Sequence, residues 1–66
     1  MERKIRRSQE LDVMESYVHR FIVDWRSEKG GPPGNKAIAS ALDISRNEAG
    51  RIRSRMRIKL GLPAGF

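Results

Sequence analysis

The segment 35–60 combines two short runs of helical apolar spacing with a tight turn between them, and it constrains the fold more than any other part of the chain. The apolar positions of the first run and of the turn are Ile38, Ala39, Leu42 and Ile44. Those of the second run are Ala49, Ile52 and Met56. Spacings of three and four residues place each set on one face of a helix. Ser45 and Glu48 predict a capping box, in which each side chain accepts a hydrogen bond from the other residue's backbone N–H.

This order of small, apolar and turn residues resembles the helix-turn-helix, a motif whose second helix enters the major groove of DNA. Ala39 takes the place of the motif's small residue, and Leu42 and Ile44 are the apolar residues on either side of the turn. The usual turn glycine is replaced by Asp43, a residue type that visits the left-handed backbone region more readily than most. An ordinary helical hairpin would share this apolar pattern but would not need a basic second helix.

A longer helix is predicted before this segment, with Ser8 as its N-cap and the run Gly30–Pro33 as its stop. Its apolar stripe consists of Leu11, Met14, Val18, Phe21, Ile22 and Trp25. Acidic residues outnumber basic ones between Ser8 and Lys29, so this helix is predicted to be the scaffold. We expect Trp25 to pack on Ile38 and Leu42.

Two side chains of this first helix lie beside its main stripe. Val13 and Tyr17 widen the stripe, so either the neighbouring helices cover them or a second subunit shares them. Coverage is the favoured interpretation. His19 lies one turn after Glu15, and the two are expected to pair at the surface.

A run within residues 18–56 resembles the first two helices of the LexA-type repressor DNA-binding domain. The resemblance consists of an aromatic-bearing first helix, a turn and a short apolar core, here Gly31, Pro32, Pro33, Ile38, Ala41 and Leu42. It implies a three-helix DNA-binding domain. After Met56 the sequence departs from the family, because a winged member would continue with a two-stranded wing. A wing contact with DNA is therefore not implied.

The composition favours a polyanionic partner. The 66 residues include 14 Lys and Arg against 8 Asp and Glu, which gives a formal net charge of +6. Without cysteine the chain has neither disulfides nor thiolate metal ligands, and the single His19 cannot form a metal site alone. No apolar run reaches transmembrane length, and the basic N-terminus lacks the apolar centre of a signal peptide. We therefore expect a cytoplasmic, nucleoid-associated protein with no membrane partner.

The basic residues form two groups, and the first is an N-terminal arm. Residues 1–7 are predicted to be a flexible basic arm, and residues 8–66 a single domain. The arm's cations are Arg3, Lys4, Arg6 and Arg7. Such an arm is either a solvated tail or a segment that follows phosphates or enters a minor groove.

The second group lies on the third helix, where six bases accompany the single acid Glu48 between residues 46 and 59. A helix with charge of nearly one sign gains from an anion, and Arg and Asn can read guanine and adenine. The predicted base-reading residues, on the face opposite the apolar one, are Asn47, Arg51 and Ser54. The predicted phosphate contacts are Arg46, Arg55, Arg57, Lys59 and Lys36. Arg53 falls at the edge of the buried face, and Gly50 suggests a close approach to DNA or to another helix.

These observations predict an all-α protein with a three-helix helix-turn-helix domain and a basic N-terminal arm. Its expected function is sequence-specific binding of double-stranded DNA as a small transcriptional regulator, such as a phage- or plasmid-type repressor, with a possible weak homodimer. The alternative is a basic module that binds and modulates a larger protein. RNA binding is less favoured, because aromatic residues for base stacking are scarce. No catalytic constellation is recognisable, so neither an enzyme, a cofactor nor a small-molecule substrate is expected.

Overall fold

The computed structural model describes residues 10–66, which form three helices: α1 (Val13–Lys29), α2 (Asn35–Leu42) and α3 (Arg46–Leu60). Helices α1 and α2 both pack on α3, and no strand occurs within the described residues. The predicted all-α, three-helix fold class is therefore confirmed. None of the three helices has both the length and the hydropathy that a membrane span requires. The predicted arm, with Arg3, Lys4, Arg6 and Arg7, lies outside the described residues.

Helix α1 begins later than the sequence predicted. Its N-cap is Asp12, whose carboxylate accepts from the backbone N–H of Glu15 at 2.8 Å, while the Glu15 carboxylate accepts from the Asp12 N–H at 3.0 Å. These reciprocal bonds fix the helix start, because they satisfy backbone donors that have no partner inside the helix. The predicted N-cap Ser8 lies outside the described residues, and a continuous helix from Ser8 is wrong because residues 10–12 are not helical.

A three-residue turn, Asp43–Ser45, joins α2 to α3. Asp43 adopts the left-handed conformation, with φ 58°, as expected for the residue in place of a turn glycine. The N–H of Ile44 then bonds the carbonyl of Ala39 at 3.0 Å, which closes the end of α2. The Ser45 hydroxyl accepts from the Glu48 N–H at 3.1 Å, so the predicted cap of α3 is present. Its reciprocal half is not formed in residues 10–66, where the Glu48 carboxylate instead faces Arg51.

The core lies where the three helices meet, and most of its residues were predicted from the apolar spacing. Its fully or nearly fully buried apolar side chains are Val18, Ile22, Ile38, Ala39, Ala49, Ile52 and Met56. Ala41, which the repressor resemblance placed in the core, is exposed because Ile38, Ala39 and Leu42 define the inner side of α2. Leu60 continues the four-residue spacing of Ile52 and Met56, but it is 39% exposed.

The end of α3 explains why Leu60 does not reach the core. Gly61 adopts a left-handed conformation, and the N–H of Leu62 bonds the carbonyl of Arg57 at 3.0 Å. This is a Schellman motif, in which the chain reverses and an apolar residue beyond the glycine packs back on the helix. Leu62 accordingly packs against the core where Leu60 does not.

The aromatic side chains are arranged differently from the prediction. Trp25 is half-buried, with its ring 5.6 Å from that of Phe21 and 4.9 Å from Nζ of Lys29, rather than part of the buried core. His19 stacks on Phe66, with ring centroids 5.9 Å apart, so the expected surface pair of His19 and Glu15 is wrong. The physical reason is that Glu15 points inward, where it meets cations of α3.

The flank of α1 beside the apolar stripe is open. Val13 is 66% exposed and Tyr17 is 56% exposed, so the favoured expectation that neighbouring helices cover them is wrong. Both lie on the side of α1 that faces away from α2 and α3. Each is one, five or nine residues from Val18 and Ile22, which at about 100° per residue places it at least 100° from those buried side chains.

Candidate nucleic-acid interface

The outward face of α3 presents the predicted base-reading residues to solvent. Asn47 and Arg51 are exposed, and Ser54 is half-buried. They lie opposite Ala49 and Ile52, since successive helical residues are separated by about 100°. The capped first turn of α3 holds Asn47 in a regular helix, and Glu48 Oε1 lies 3.9 Å from Arg51 Nη1. Because that pair is exposed, it constrains the Arg51 side chain only weakly.

Two cations predicted as phosphate contacts meet at one buried carboxylate. Glu15 of α1 has no exposed surface, and its Oε1 accepts from Lys59 Nζ at 2.7 Å. Its Oε2 accepts from Arg55 Nε at 3.1 Å. With the bond from the Asp12 N–H, both carboxylate oxygens are satisfied. This cluster joins the start of α1 to the last turns of α3.

The hydrogen bonds around Glu15 decide its protonation state. Burial by itself would raise the pKa of this carboxyl, since it penalises the charged form. The bonds from Lys59, from the Asp12 N–H and from Arg55 outweigh that penalty and lower the pKa from 4.5 to about 2. Glu15 is therefore ionised at neutral pH. It neutralises part of the positive charge of Lys59 and Arg55, which were predicted to contact phosphates at the surface.

Arg55 and Lys59 are not equivalent in this cluster. The Lys59 side chain is 28% exposed and also bonds the Glu10 carbonyl at 3.3 Å, so its ammonium is committed to α1. The Arg55 side chain is 48% exposed and uses only Nε on Glu15 within residues 10–66. Its two Nη groups can therefore still donate to an external anion. The phosphate role predicted for Lys59 competes with a bond inside the protein.

Arg53 connects α3 to the segment before α2 and to the C-terminal residue of the described chain. Nη1 donates to the Pro33 carbonyl at 2.9 Å and to Asn35 Oδ1 at 3.0 Å. Nη2 and Nε donate to the main-chain oxygen of Phe66, at 2.7 and 3.2 Å. Burial, and secondarily the charge of Arg57, lower the pKa of Arg53. Arg53, which was predicted at the edge of the buried face, therefore forms hydrogen bonds within the protein.

Gly50 lies where α3 passes the start of α2. A Cβ built at this position would lie 3.2 Å from Asn35 Nδ2, which is tighter than an ordinary contact. Of the two explanations that the sequence left open for this glycine, close approach to another helix is therefore the one that the geometry supports. Asn35 also accepts a hydrogen bond from Arg53, so its contacts with Gly50 and with Arg53 both lie at the junction of α2 and α3.

The remaining predicted phosphate contacts are dispersed. Arg46 is exposed in the first turn of α3, and Lys36 is exposed in the first turn of α2. Arg57 is half-buried in the last turn of α3. None of the three has a carboxylate within ion-pair distance among residues 10–66. They are cations that an external anion could approach.

Sequence reasoning missed Glu15 and Arg53, although a signal for Glu15 is present. The pair Asp12 and Glu15 has the three-residue spacing of a capping box, which indicates a helix start better than Ser8 does. Glu15 also lies on the same helical line as Val18 and Ile22, so its carboxylate had to be buried near α3. For Arg53 most of the partners are main-chain oxygens, of Pro33 and Phe66, which no residue-type pattern reports.

Comparisons with protein-family models, with curated proteins and with solved structures gave no match. The resemblance to LexA-type repressors therefore rests on the residues quoted above and stays a prediction. Within residues 10–66, no group of three or more metal-ligating side chains is close enough to hold an ion.

Proposed function

We propose that this protein binds double-stranded DNA through α3, as a small transcriptional regulator. The observation that supports this best is the separation of charge over the two faces of α3. Its inner face is apolar, while Arg46, Asn47 and Arg51 project to solvent from its first two turns. The only acid of α3, Glu48, lies beside Arg51 and leaves the helix strongly basic. An outward helix that follows a three-residue turn and presents Arg and Asn is suited to the major groove.

The contacts within the protein narrow the set of phosphate-binding residues. Arg53 donates hydrogen bonds to main-chain oxygens, and Lys59 forms an ion pair with Glu15. We therefore assign phosphate contacts first to Arg46, Arg57 and Lys36, then to the Nη groups of Arg55. Asn47, Arg51 and Ser54 remain the proposed base-reading residues. The arm's Arg3, Lys4, Arg6 and Arg7, which lie outside the described residues, would add further phosphate contacts.

A salt titration of binding tests this proposal. With about six phosphate contacts, the logarithm of the association constant should fall with the logarithm of salt concentration with a slope of roughly −5. Fluorescence anisotropy would be measured on a random-sequence duplex, a single strand and a double-stranded RNA of equal length. We expect the duplex DNA to bind most tightly and a selected DNA site to bind more tightly still. A slope near zero on every nucleic acid would contradict the proposal.

The second candidate is a module that binds an acidic surface of a larger protein. The exposed apolar side chains on α1 favour it, because Val13 and Tyr17 could contact a protein but lie on a different element from the basic face of α3. The two functions make different demands on α1. Substituting Tyr17 should leave monomeric binding to a short duplex unchanged if α3 is the binding surface, and should abolish partner binding if α1 is.

A further inference from the structure

Ile58 is the most exposed large apolar side chain of the described residues, at 78%. Single exposed aliphatic side chains are common on protein surfaces and by themselves indicate nothing. Ile58 differs in its placement. With 100° per residue it falls within about 40° of Asn47, Arg51 and Ser54, so it continues the line of proposed base-reading residues. The Gly61 cap then ends the helix.

We propose, on the basis of the proposed DNA binding, that Ile58 is a specificity-determining residue that contacts the 5-methyl group of a thymine in the major groove. Of the four base pairs' major-groove edges, only those that contain thymine present an apolar group. The proposed line would thus combine hydrogen-bonding side chains at the start of α3 with an apolar contact near its end.

The surroundings of Ile58 favour DNA over a protein as its partner. The neighbouring side chains include Arg55, which is half-exposed, and Arg57, which has no carboxylate partner among residues 10–66. A protein that covered Ile58 with an apolar surface would bury these cations, which is unfavourable without compensating acids. DNA supplies phosphates for the cations on both sides of the groove and a methyl group within it. The exposed apolar residues Val13 and Tyr17 belong to another helix, α1.

The helix geometry gives the position of the expected thymine. Ile58 is eleven positions after Asn47, which corresponds to about 16 Å along the helix axis. With base pairs about 3.4 Å apart along the DNA axis, that distance spans at most roughly five base pairs. The thymine should therefore lie within about five base pairs of the base that Asn47 contacts, on the side toward which the end of α3 points.

Replacing thymine with deoxyuridine tests the contact, because it removes the methyl group and keeps the hydrogen-bonding pattern. A preferred duplex is selected from random sequences with the full chain, and each thymine is then replaced singly. For the unmodified protein we expect about a fourfold loss of affinity at one thymine, which is the effect of losing one buried methyl group. Ile58→Ser should bind the thymine and the deoxyuridine duplexes equally. Val23→Ser, which removes an exposed apolar side chain from α1 outside the Val13 and Tyr17 flank, should keep the full difference.

Each other outcome overturns the assignment. A selected site without a preferred thymine, or a duplex that tolerates deoxyuridine everywhere, shows that Ile58 contacts no methyl group. A difference that survives in Ile58→Ser shows that another residue makes the contact. In these cases DNA binding itself still stands. Failure to bind any duplex would instead contradict the proposed function, and the Ile58 assignment with it.

Discussion

Lys59 near the end of α3 places its ammonium 2.7 Å from Oε1 of Glu15, forty-four residues earlier in the chain. Arg55 binds the other oxygen of the same carboxylate, so one buried anion holds two turns of α3 against the start of α1. The contact links the scaffold helix to the helix that we propose enters DNA. It also removes part of the basic charge of α3 from the surface.

The first prediction concerns the removal of this anion. Glu15→Gln should lower the free energy of unfolding by about 2–3 kcal/mol, because Lys59 and Arg55 lose their shared counter-charge while partly buried. The effect should be smaller than for a fully buried pair, since Arg55 is half-exposed. Glu28→Gln is the matched control on the exposed side of α1 and should change stability by less than about 0.5 kcal/mol. Urea unfolding followed by circular dichroism would measure both stability changes. A loss in Glu15→Gln no larger than in Glu28→Gln would show that the buried carboxylate contributes no more than an exposed one.

The second prediction concerns acid. The pKa of Glu15 falls from 4.5 to about 2 on folding, so above pH 4.5 the carboxyl is ionised in both states. Below pH 4.5 the unfolded chain takes up a proton that the folded chain excludes, and the folded state loses stability as the pH falls toward 2. Between pH 4.5 and pH 2, the free energy of unfolding should fall more steeply with decreasing pH for the wild type than for Glu15→Gln. The difference in slope should approach the value that corresponds to one bound proton. Parallel pH profiles for the two proteins would rule out a lowered pKa.

The third prediction concerns the junction of α2 and α3. Ala in place of Gly within a helix gains about 1 kcal/mol from backbone entropy. At Gly50 the new methyl group would press on Asn35, whose Oδ1 bonds Arg53, so Gly50→Ala should leave stability nearly unchanged. In an Asn35→Ala background the same change should stabilise by the full amount of about 1 kcal/mol. A double-mutant cycle by thermal unfolding measures this coupling, and additive effects would show that Asn35 moves aside freely.

The fourth prediction separates base reading from phosphate binding. Asn47→Ala and Arg51→Ala should each lower the preference for a selected site over random duplex by about 1–3 kcal/mol, because a lost base contact removes discrimination. Arg57→Ala should weaken binding to both duplexes equally, since phosphates are the same in every sequence. All three side chains lie outside the buried core, so circular dichroism should show folded variants. A uniform loss from all three would mean that the reading face is elsewhere.

The fold could be predicted largely from the spacing of apolar residues. A buried helix face must be continuously apolar whichever element packs on it, so the spacing shows the face without knowledge of the neighbouring helix. Ile38, Ala49 and Ile52 were assigned correctly for this reason. The turn was also predictable, since Asp43 and Ser45 bond backbone atoms only three or four residues away. These interactions are local, because both partners of each hydrogen bond lie within a few residues of each other in the sequence.

The parts that the sequence did not predict depend on contacts between distant residues. Whether a cation such as Lys59 is free or paired depends on where Glu15 points, and that follows from how α1 and α3 pack. The same holds for Arg53, which bonds oxygens twenty and thirteen residues away. For a basic helix, charge counted along the chain therefore overstates the charge that a ligand can reach.

The last prediction concerns assembly through the open flank of α1. Val13 and Tyr17 are mostly exposed, and a single three-helix domain covers only a small DNA surface. We expect weak self-association through this flank that strengthens on DNA, where a symmetric dimer would place two α3 helices about 34 Å apart on a palindromic site. Analytical ultracentrifugation with and without duplex would measure it. Tyr17→Glu should abolish the association, whereas Ser27→Glu, which adds the same charge elsewhere on α1, should not. A one-to-one complex that neither change affects would mean that a single copy binds, with the residues 1–7 left to supply any further contacts.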